Sequence, residues 1–390
     1  MGPLNGIRVI DITTIVLGPM ATQMLADYGA DVIKVELIDG DLMRANGMSR
    51  TRGMSSTFMN LNRNKRSLAV NLKTPEGLNA IKELIRTADV LVHNMRTKAI
   101  NKLGLGYEDA IKLNPEIVYC AATGFGESGK QAGEPAFDDI IQASCGMASL
   151  VGHETGIPDY PPTLIADKVA GIYTANAVMG ALVHKARTGE GQYVEVPMFE
   201  TMVAFTMTEH MGGNGFHPSI GPAGYARLLK GGRKPCPTQD GFIALMPYTE
   251  KHWKDFFTGL GRQDLFEKYD LSSRHERNKR IHELYADLRA LTSTFPSAQL
   301  IALCRQLDIP VTEIYTIDNI HEHEHVKSVD LFQVQQHPTE GEIVAIRPTT
   351  LFSKTPSSIE KPAPNIGEHT VEILKELGYS DELIELARKK

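Results

Sequence analysis

The chain has 390 residues, 42% of them hydrophobic and 23% charged, with a formal net charge of −6. That length exceeds one ordinary core and points to two domains, or to one large domain with an excursion. The acidic balance leaves no basic excess to track the phosphates of a nucleic acid. No apolar run is long enough to span a bilayer, and the first residues carry no secretion signal.

In chain order, Ile7–Ile12 is short, apolar and β-branched, and reads as a strand. Pro19–Tyr28 reads as a helix, with Met20, Met24, Leu25 and Tyr28 on one face and Gly29 ending it. Asp31–Glu36 is a second strand. Pro75–Thr87 is helical, with Thr74 as N-cap and Pro75 at the first helical position. Val90–His93 and Ile117–Ala121 are further strands. Thr163–Arg187 is a long helix with Ile172, Met179 and Leu182 as its apolar stripe, and with Ala175 and Gly180 permitting close packing. Gln192–Val196 and Phe199–Glu209 add a strand and a helix. Alternation of this kind predicts a doubly wound α/β domain with a mostly parallel sheet.

After Glu209 the character changes. Gly212–Pro222 reads as a loop. From Gly241 to Ile309 the chain turns charged and helical, clearest at Lys251–Leu260 and Ile281–Leu291, and suggests a smaller domain. Four prolines, Pro348, Pro356, Pro362 and Pro364, punctuate an extended stretch before a last helix at Val371–Leu377. The four cysteines, Cys120, Cys145, Cys236 and Cys304, form no CxxC pair, which suits a reducing cytoplasm.

Three motifs suggest chemistry that their surroundings oppose. Gly124-Phe-Gly-Glu-Ser-Gly129 has the spacing of a dinucleotide fingerprint, but Gly133 and Pro135 block the helix that must open there. As a phosphate loop ending in Lys130 it lacks the hydroxyl that ligates magnesium, because Gln131 stands in that place. His321-Glu-His-Glu-His325 has the HExxH spacing of a zinc site, yet it lies in a polar connector with no third ligand, and no metal is expected.

Two basic, amide-rich clusters fall beside strand ends, where such sheets bind ligands. One is Asn62-Arg-Asn-Lys-Arg-Ser67 with Lys73, and the other is Asn94-Met-Arg96 with Lys98 and Lys102. A polyanion such as a nucleotide phosphate suits them. Asp167 stands near the start of the long helix, after Pro161-Pro162. A first-turn aspartate is favoured by the helix dipole, and the same field keeps it ionised, as a carboxylate nucleophile requires.

The chain resembles the class III coenzyme A-transferases, also called the CaiB/BaiF family. The likeness runs nearly end to end. It covers the opening GIRVIDITTIVLGPMATQMLADYGADVIKVE, then NRNKRSLAVNLKTPEG, ADVLVHNMRTKAINKLGLGY, NPEIVYCAATGFGESG, FDDIIQASCG, ADKVAG, RTGEGQYVEV and PNIGEHTVEILKELGYSDE. The resemblance implies a Rossmann-like large domain from residues 1–200 and 330–390 and a small α+β domain from residues 225–325. Residues 201–224 and 326–329 would link them, and two subunits would interlock as a homodimer like chain links. It implies that Asp167 is the catalytic nucleophile. Val16, Leu17, Val70, Asn71, Leu72, Lys73, Asn94, Met95, Arg96 and Lys102 match coenzyme A-binding positions. Leu37 departs from an arginine of formyl-CoA transferase, and Met95 replaces a usual phenylalanine.

The implied activity moves coenzyme A from an acyl-CoA to a small carboxylic acid through an aspartyl-CoA thioester. Coenzyme A is then a substrate, and no tightly bound cofactor is expected. Gly124 and Gly126, with Phe137 and Asp138, are candidates for the substrate pocket. The loop Gly124–Gly129, Gly212–Gly215 or Gly231–Gly232 would supply oxyanion donors. Arg227, Arg233 and Lys234 could hold a second carboxylate. The nearest rival is α-methylacyl-CoA racemase, which needs a base on each face of the α-carbon. That branch has a histidine where this chain has Phe137, leaving His153 or His210 as substitutes. A non-catalytic coenzyme A-binding protein would not need Asp167.

Overall fold

A computed structural model describes residues 2–229, 233–269, 271 and 279–389. Strand β1 (Arg8–Ile12) leads into α1 (Leu17–Asp27), β2 (Asp31–Glu36), α2 (Ser56–Asn62), β3 (Lys65–Ala69), α3 (Pro75–Thr87) and β4 (Val90–His93). There follow α4 (Thr97–Lys102), α5 (Tyr107–Leu113), β5 (Val118–Ala121), α6 (Asp138–Ser144), α7 (Met147–Val151), α8 (Ile165–Thr188), β6 (Tyr193–Glu195) and α9 (Met198–His210). The strands form one parallel sheet in the order β3-β2-β1-β4-β5-β6. That is the doubly wound order, and its switch point lies between β1 and β4, where the carboxyl ends of the strands open a crevice.

Period-2 alternation assigns the two faces. Val9, Val32, Val90, Val92 and Val118 pack under α1 and α8 through Leu25, Val178 and Leu182. Ile10, Ile33, Leu91 and Tyr119 pack on the other face against α3, through Ile81, Leu84 and Ile85. Each such fully buried side chain contributes about 2 kcal/mol. Thr74 caps α3 as its spacing predicts, with its hydroxyl accepting from the Gly77 N–H at 3.1 Å.

The chain continues through α10 (Ala226–Leu229), β7 (Cys236–Pro237), β8 (Phe242–Leu245), α11 (Glu250–Gly259), α12 (Gln263–Lys268), α13 (Ile281–Thr292), α14 (Ser297–Gln306), β9 (Val311–Glu313) and α15 (Glu324–Ser328). It ends with the hairpin β10 (Phe332–His337) and β11 (Gly341–Ile346), then α16 (Thr370–Glu376) and α17 (Asp381–Arg388). Two compact units result. The first comprises residues 1–151, 158–206 and 327–390, and holds the parallel sheet. Its last two helices close the α3 side of the core with Ile373, Leu374 and Ile384. The second comprises residues 152–157 and 207–326. It packs α11, α13 and α14 on a small antiparallel sheet, β7-β8-β9, around Trp253, Phe256, Phe257, Leu284, Leu288 and Leu300. Among the described residues no helix is long and apolar enough to cross a membrane.

Two expectations about helices change. Helix α1 starts at Leu17 rather than Pro19; the proline occupies the third helical position, where its missing N–H is one of the unsatisfied donors anyway. Ile172 on α8 is 46% exposed, and the face turned inward is built from Ala166, Ala170, Gly171, Thr174, Ala175 and Val178. The close contact there belongs to Gly171, since a Cβ on it would stand 2.8 Å from the Leu17 carbonyl oxygen, whereas Gly180 faces open space. Residues 321–325 form no single helix. A 3₁₀ turn (Ile320–Glu322) ends before His323 and α15 begins at Glu324, so the outer histidines lack the shared helical face a zinc site needs.

Candidate active site

The first basic cluster, Lys73 apart, is largely internal. Lys65 and Arg66 lie on β3, and parallel pairing sets Lys65 beside Val32 and Ser67 beside Lys34. Lys65 is fully buried; its Nζ donates to Asp11 Oδ2 at 3.0 Å, Thr22 Oγ1 at 2.8 Å and Asn62 Oδ1 at 2.8 Å. Arg63 pairs with Asp27 at 2.6 Å, and Arg66 with Asp31, Glu372 and Glu376. The polyanion expected at Asn62–Ser67 therefore finds these charges already spent inside the fold. Burial alone would raise Asp11, but Lys65, Lys34 and the hydroxyls of Thr13 and Thr22 override it and hold the carboxyl far below its usual range.

The second cluster does open onto a cleft. At the switch point a cavity of about 300 Å³ is lined by Thr14, Ile15 and Leu17 after β1, by Asn94, Met95 and Arg96 after β4, and by Ala122–Phe125 after β5. Phe137 and Asp167 complete its wall, with Glu127, Glu134 and Met198 also on the lining. Among the expected site residues, Leu17, Asn94, Met95, Arg96, Gly124, Phe137 and Asp167 thus meet in one place.

Asp138 adjoins Asp167 without lining the cavity, and the coenzyme A-binding candidates other than Leu17 and Asn94–Arg96 lie apart. Val16 packs into a small cluster with Met43, Phe58 and Ala363. Val70 is core, and Leu72 packs against it. Asn71 is tied to the last helix, its N–H donating to the Ala387 carbonyl at 2.9 Å and its side chain to that of Lys389 at 2.8 Å. Lys73, Lys98 and Lys102 are exposed.

Asp167 is the third residue of α8 and only 8% exposed. Leu164, at the N-cap, offers no side-chain bond, so the open N–H groups of the first turn need an acceptor from elsewhere. Asp138, at the start of α6, supplies it: its Oδ1 accepts the Asp167 N–H at 3.0 Å. Gln142 Nε2, one turn further along α6, donates to the other oxygen of Asp138. This cap carries a charge, and it reverses the expectation for the nucleophile. Burial, then the negative charges of Asp138 and Asp139, push the Asp167 carboxyl up to about 7.

Three of the N–H groups in the glycine loop are committed. The Gly126 N–H donates to Glu200 Oε1 at 3.0 Å, the Glu127 N–H to Glu195 Oε1 at 2.6 Å, and the Gly129 N–H to the Gly126 carbonyl at 2.9 Å. Among the described residues the N–H groups of Gly124 and Phe125 find no acceptor, and both residues line the cleft. They are the pair of donors this loop can offer an oxyanion. Gly212–Gly215 forms a 3₁₀ turn in the second unit, and Gly231–Gly232 lies outside the described residues. His153 and His210 also belong to the second unit; His210 Nδ1 accepts the Tyr225 N–H at 3.2 Å. There Arg227 stacks over Tyr248, Lys234 pairs with Glu154, and Arg233 lines a separate cavity.

Two features escaped the sequence. One is Ile15, held at φ 74° with no glycine or asparagine to announce it. The other is the capping of α8 by Asp138, for which a carboxylate two residues after a proline–alanine pair gives no local signal.

The chain matches CoA-transferase family III over residues 4–370. It is 32% identical to a succinate–glutarate CoA-transferase of Agrobacterium fabrum, covering 96% of each chain. It is 30% identical to a formyl-CoA:oxalate CoA-transferase of Escherichia coli O157:H7, covering 98% of this chain and 97% of the other. A CaiB/BaiF family protein from Brucella suis superposes with a TM-score of 0.82 at 27% identity, covering 96% of this chain and 99% of that one. With a switch-point cleft, a buried aspartate in its wall and likeness along the full length, the chain belongs to CoA-transferase family III.

Proposed function

We propose that the protein transfers coenzyme A from an acyl-CoA thioester to a small carboxylic acid, with Asp167 as the covalent carrier. The observation that carries this reading is the buried Asp167 carboxyl in the wall of the switch-point cleft, with unpaired backbone N–H groups of Gly124 and Phe125 on the same wall.

The steps balance without a proton. The Asp167 carboxylate attacks the thioester carbonyl, the C–S bond breaks, and coenzyme A leaves as thiolate with the electron pair. The mixed anhydride left behind is attacked by that thiolate at the Asp167 carbonyl, releasing the donor acid as carboxylate. The acceptor carboxylate attacks the aspartyl thioester and expels the thiolate, which then takes the acceptor's acyl carbon and frees Asp167 as carboxylate. Each tetrahedral intermediate needs N–H donors and exclusion of water, not a base.

Coenzyme A would run along Val16, Leu17, Asn94, Met95 and Arg96 toward Val70–Lys73, with Lys102 near its phosphates. The support is that β1, β3 and β4 all end at this edge of the sheet. It binds as a substrate, with no tightly held cofactor. The relatives named for succinate, glutarate, formyl-CoA and oxalate favour short carboxylic or dicarboxylic acids as partners. An interlocked homodimer in the cytoplasm completes the reading.

The test is incubation with succinyl-CoA and a panel of carboxylic acids, followed by intact mass and borohydride mapping. New acyl-CoA products and an adduct at Asp167, both lost in Asp167→Ala, are expected. Absence of exchange, with α-proton washout from a 2-methylacyl-CoA in deuterated water, would replace the transferase with a racemase. Phe137, 64% exposed on the cleft wall, cannot serve as that reaction's second base.

A further inference from the structure

Between Thr13 and Ile15 the chain has left β1 and has not yet entered α1, so neither a ladder nor a helix takes its peptide groups. Side chains take them instead. Lys34 Nζ, from β2, donates to the Thr13 carbonyl at 3.0 Å and to Asp41 Oδ2 at 2.9 Å. Asn94, after β4, accepts the Thr14 N–H at 3.0 Å and donates to the Thr14 carbonyl at 2.9 Å. Asp41 Oδ1 accepts the Ile15 N–H at 3.2 Å and the Met43 N–H at 2.9 Å. The residue so restrained, Ile15, has φ 74°, a region that β-branched side chains avoid. Such a conformation persists only where its surroundings over-determine it.

The Lys34 and Asp41 side chains are 0% and 1% exposed. A buried ion pair adds little net stability, because an apolar pair of similar volume serves as well or better. What an apolar pair cannot do is hold two polar backbone groups of one loop, and each member of this pair holds one. Thr14 and Ile15 both line the Asp167 cleft.

We infer that the Lys34–Asp41 pair is a positioning device that keeps Ile15 left-handed and so sets the cleft wall against which the thioester substrate lies. Neither residue touches the reacting atoms. The inference deepens the transferase reading and rests on it.

Asp41→Asn keeps an oxygen for the Ile15 N–H but removes the anion bonded to Lys34 Nζ, leaving Asp11 and Glu36 to draw the ammonium away from the Thr13 carbonyl. It should lower kcat/KM for acyl-CoA about tenfold, mainly through KM, as expected for a displaced binding wall. Adding Ile15→Gly should recover most of that loss, because glycine adopts φ 74° without an anchor. If the double variant is as impaired as Asp41→Asn, or if Asp41→Asn lowers the melting temperature and leaves kcat/KM intact, the pair is merely structural and the inference fails. Should Asp41→Asn not fold, Lys34→Met with Asp41→Leu, an apolar pair, takes its place with the same expected loss and rescue. A crystal structure of the variant separates this idea from the transferase reading. Ile15 still near φ 74° overturns the positioning role whatever the turnover, whereas a displaced Ile15 in a protein whose wild type transfers nothing overturns the transferase reading alone.

Discussion

Asp167 stands where two fields oppose each other. The first turn of α8 favours its anion, while burial and the charges of Asp138 and Asp139 disfavour it and push the carboxyl up to about 7. For the proposed acyl exchange between Asp167 and a thiolate this would be useful. An ordinary carboxylate is a much weaker base than a thiolate, and raising the aspartate narrows the gap, so each partner can displace the other. The acid limb of kcat should therefore fall near neutrality rather than near pH 4. Asp138→Asn keeps the acceptor for the Asp167 N–H and removes the charge beside it. Its acid limb should move down by about one pH unit and no further, because burial is the larger cause and Asp139 remains. Rates measured from pH 5.5 to 8.5 decide this, and a limb that stays in place would show that the two carboxyls are not coupled.

At the scale of elements, the site depends on how closely α1 and α8 approach. Gly171 lies one turn after Asp167, and a Cβ there would meet the Leu17 carbonyl oxygen at 2.8 Å and Met20 Cβ at 3.3 Å. The first is backbone and cannot swing aside. Gly171→Ala should therefore push the start of α1 outward and move Leu17, a cleft residue. About 1–3 kcal/mol of stability should be lost in urea unfolding, with a fall in kcat/KM alongside it. Full activity at unchanged stability would mean that α1 tolerates the shift and does not gauge the cleft. The same helix pair shows what a sequence conceals. Helix α3 was legible because Thr74, Pro75 and an amphipathic stripe are local signals. The inner face of α8 was not, since Ala, Gly and Thr give little hydrophobic contrast. Strand β3 was hidden for a different reason. Lys65 and Arg66 look like loop charge until Asp11 and Asp31, 54 and 35 residues away, neutralise them. Strands β7, β8 and β9 are too short to show a period, whereas β10 alternates Phe332-Gln-Val-Gln335 over six residues and carried a strand signal that the proline-punctuated reading passed over. In the site, Asp167 and Asn94–Arg96 were legible from strand ends and resemblance, but the anchoring of Ile15 depends on contacts from β2, from the loop after it and from the end of β4.

At the scale of the molecule, the first unit leaves apolar surface uncovered. Val334 and Val344 pair directly across the β10–β11 hairpin and are 66% and 61% exposed. On α8, Ile172, Tyr173 and Val183 are similarly open. A two-stranded hairpin is marginal in water without something packed on it, and large apolar side chains grouped on one element mark an interface. A second copy of the chain is the cover expected of interlocked subunits. Light scattering should then give twice the 42.9 kDa of the chain. Interlocking makes a sharper demand than dimerisation, because linked rings cannot part unless one opens. Tagged and untagged protein mixed in buffer should exchange no subunits over hours, even at nanomolar concentration, and should exchange only at denaturant levels that begin to unfold the chain. Rapid exchange of a stable dimer would leave an ordinary interface in place of linked rings. A monomer at every concentration would require another occupant for the Val334–Val344 face.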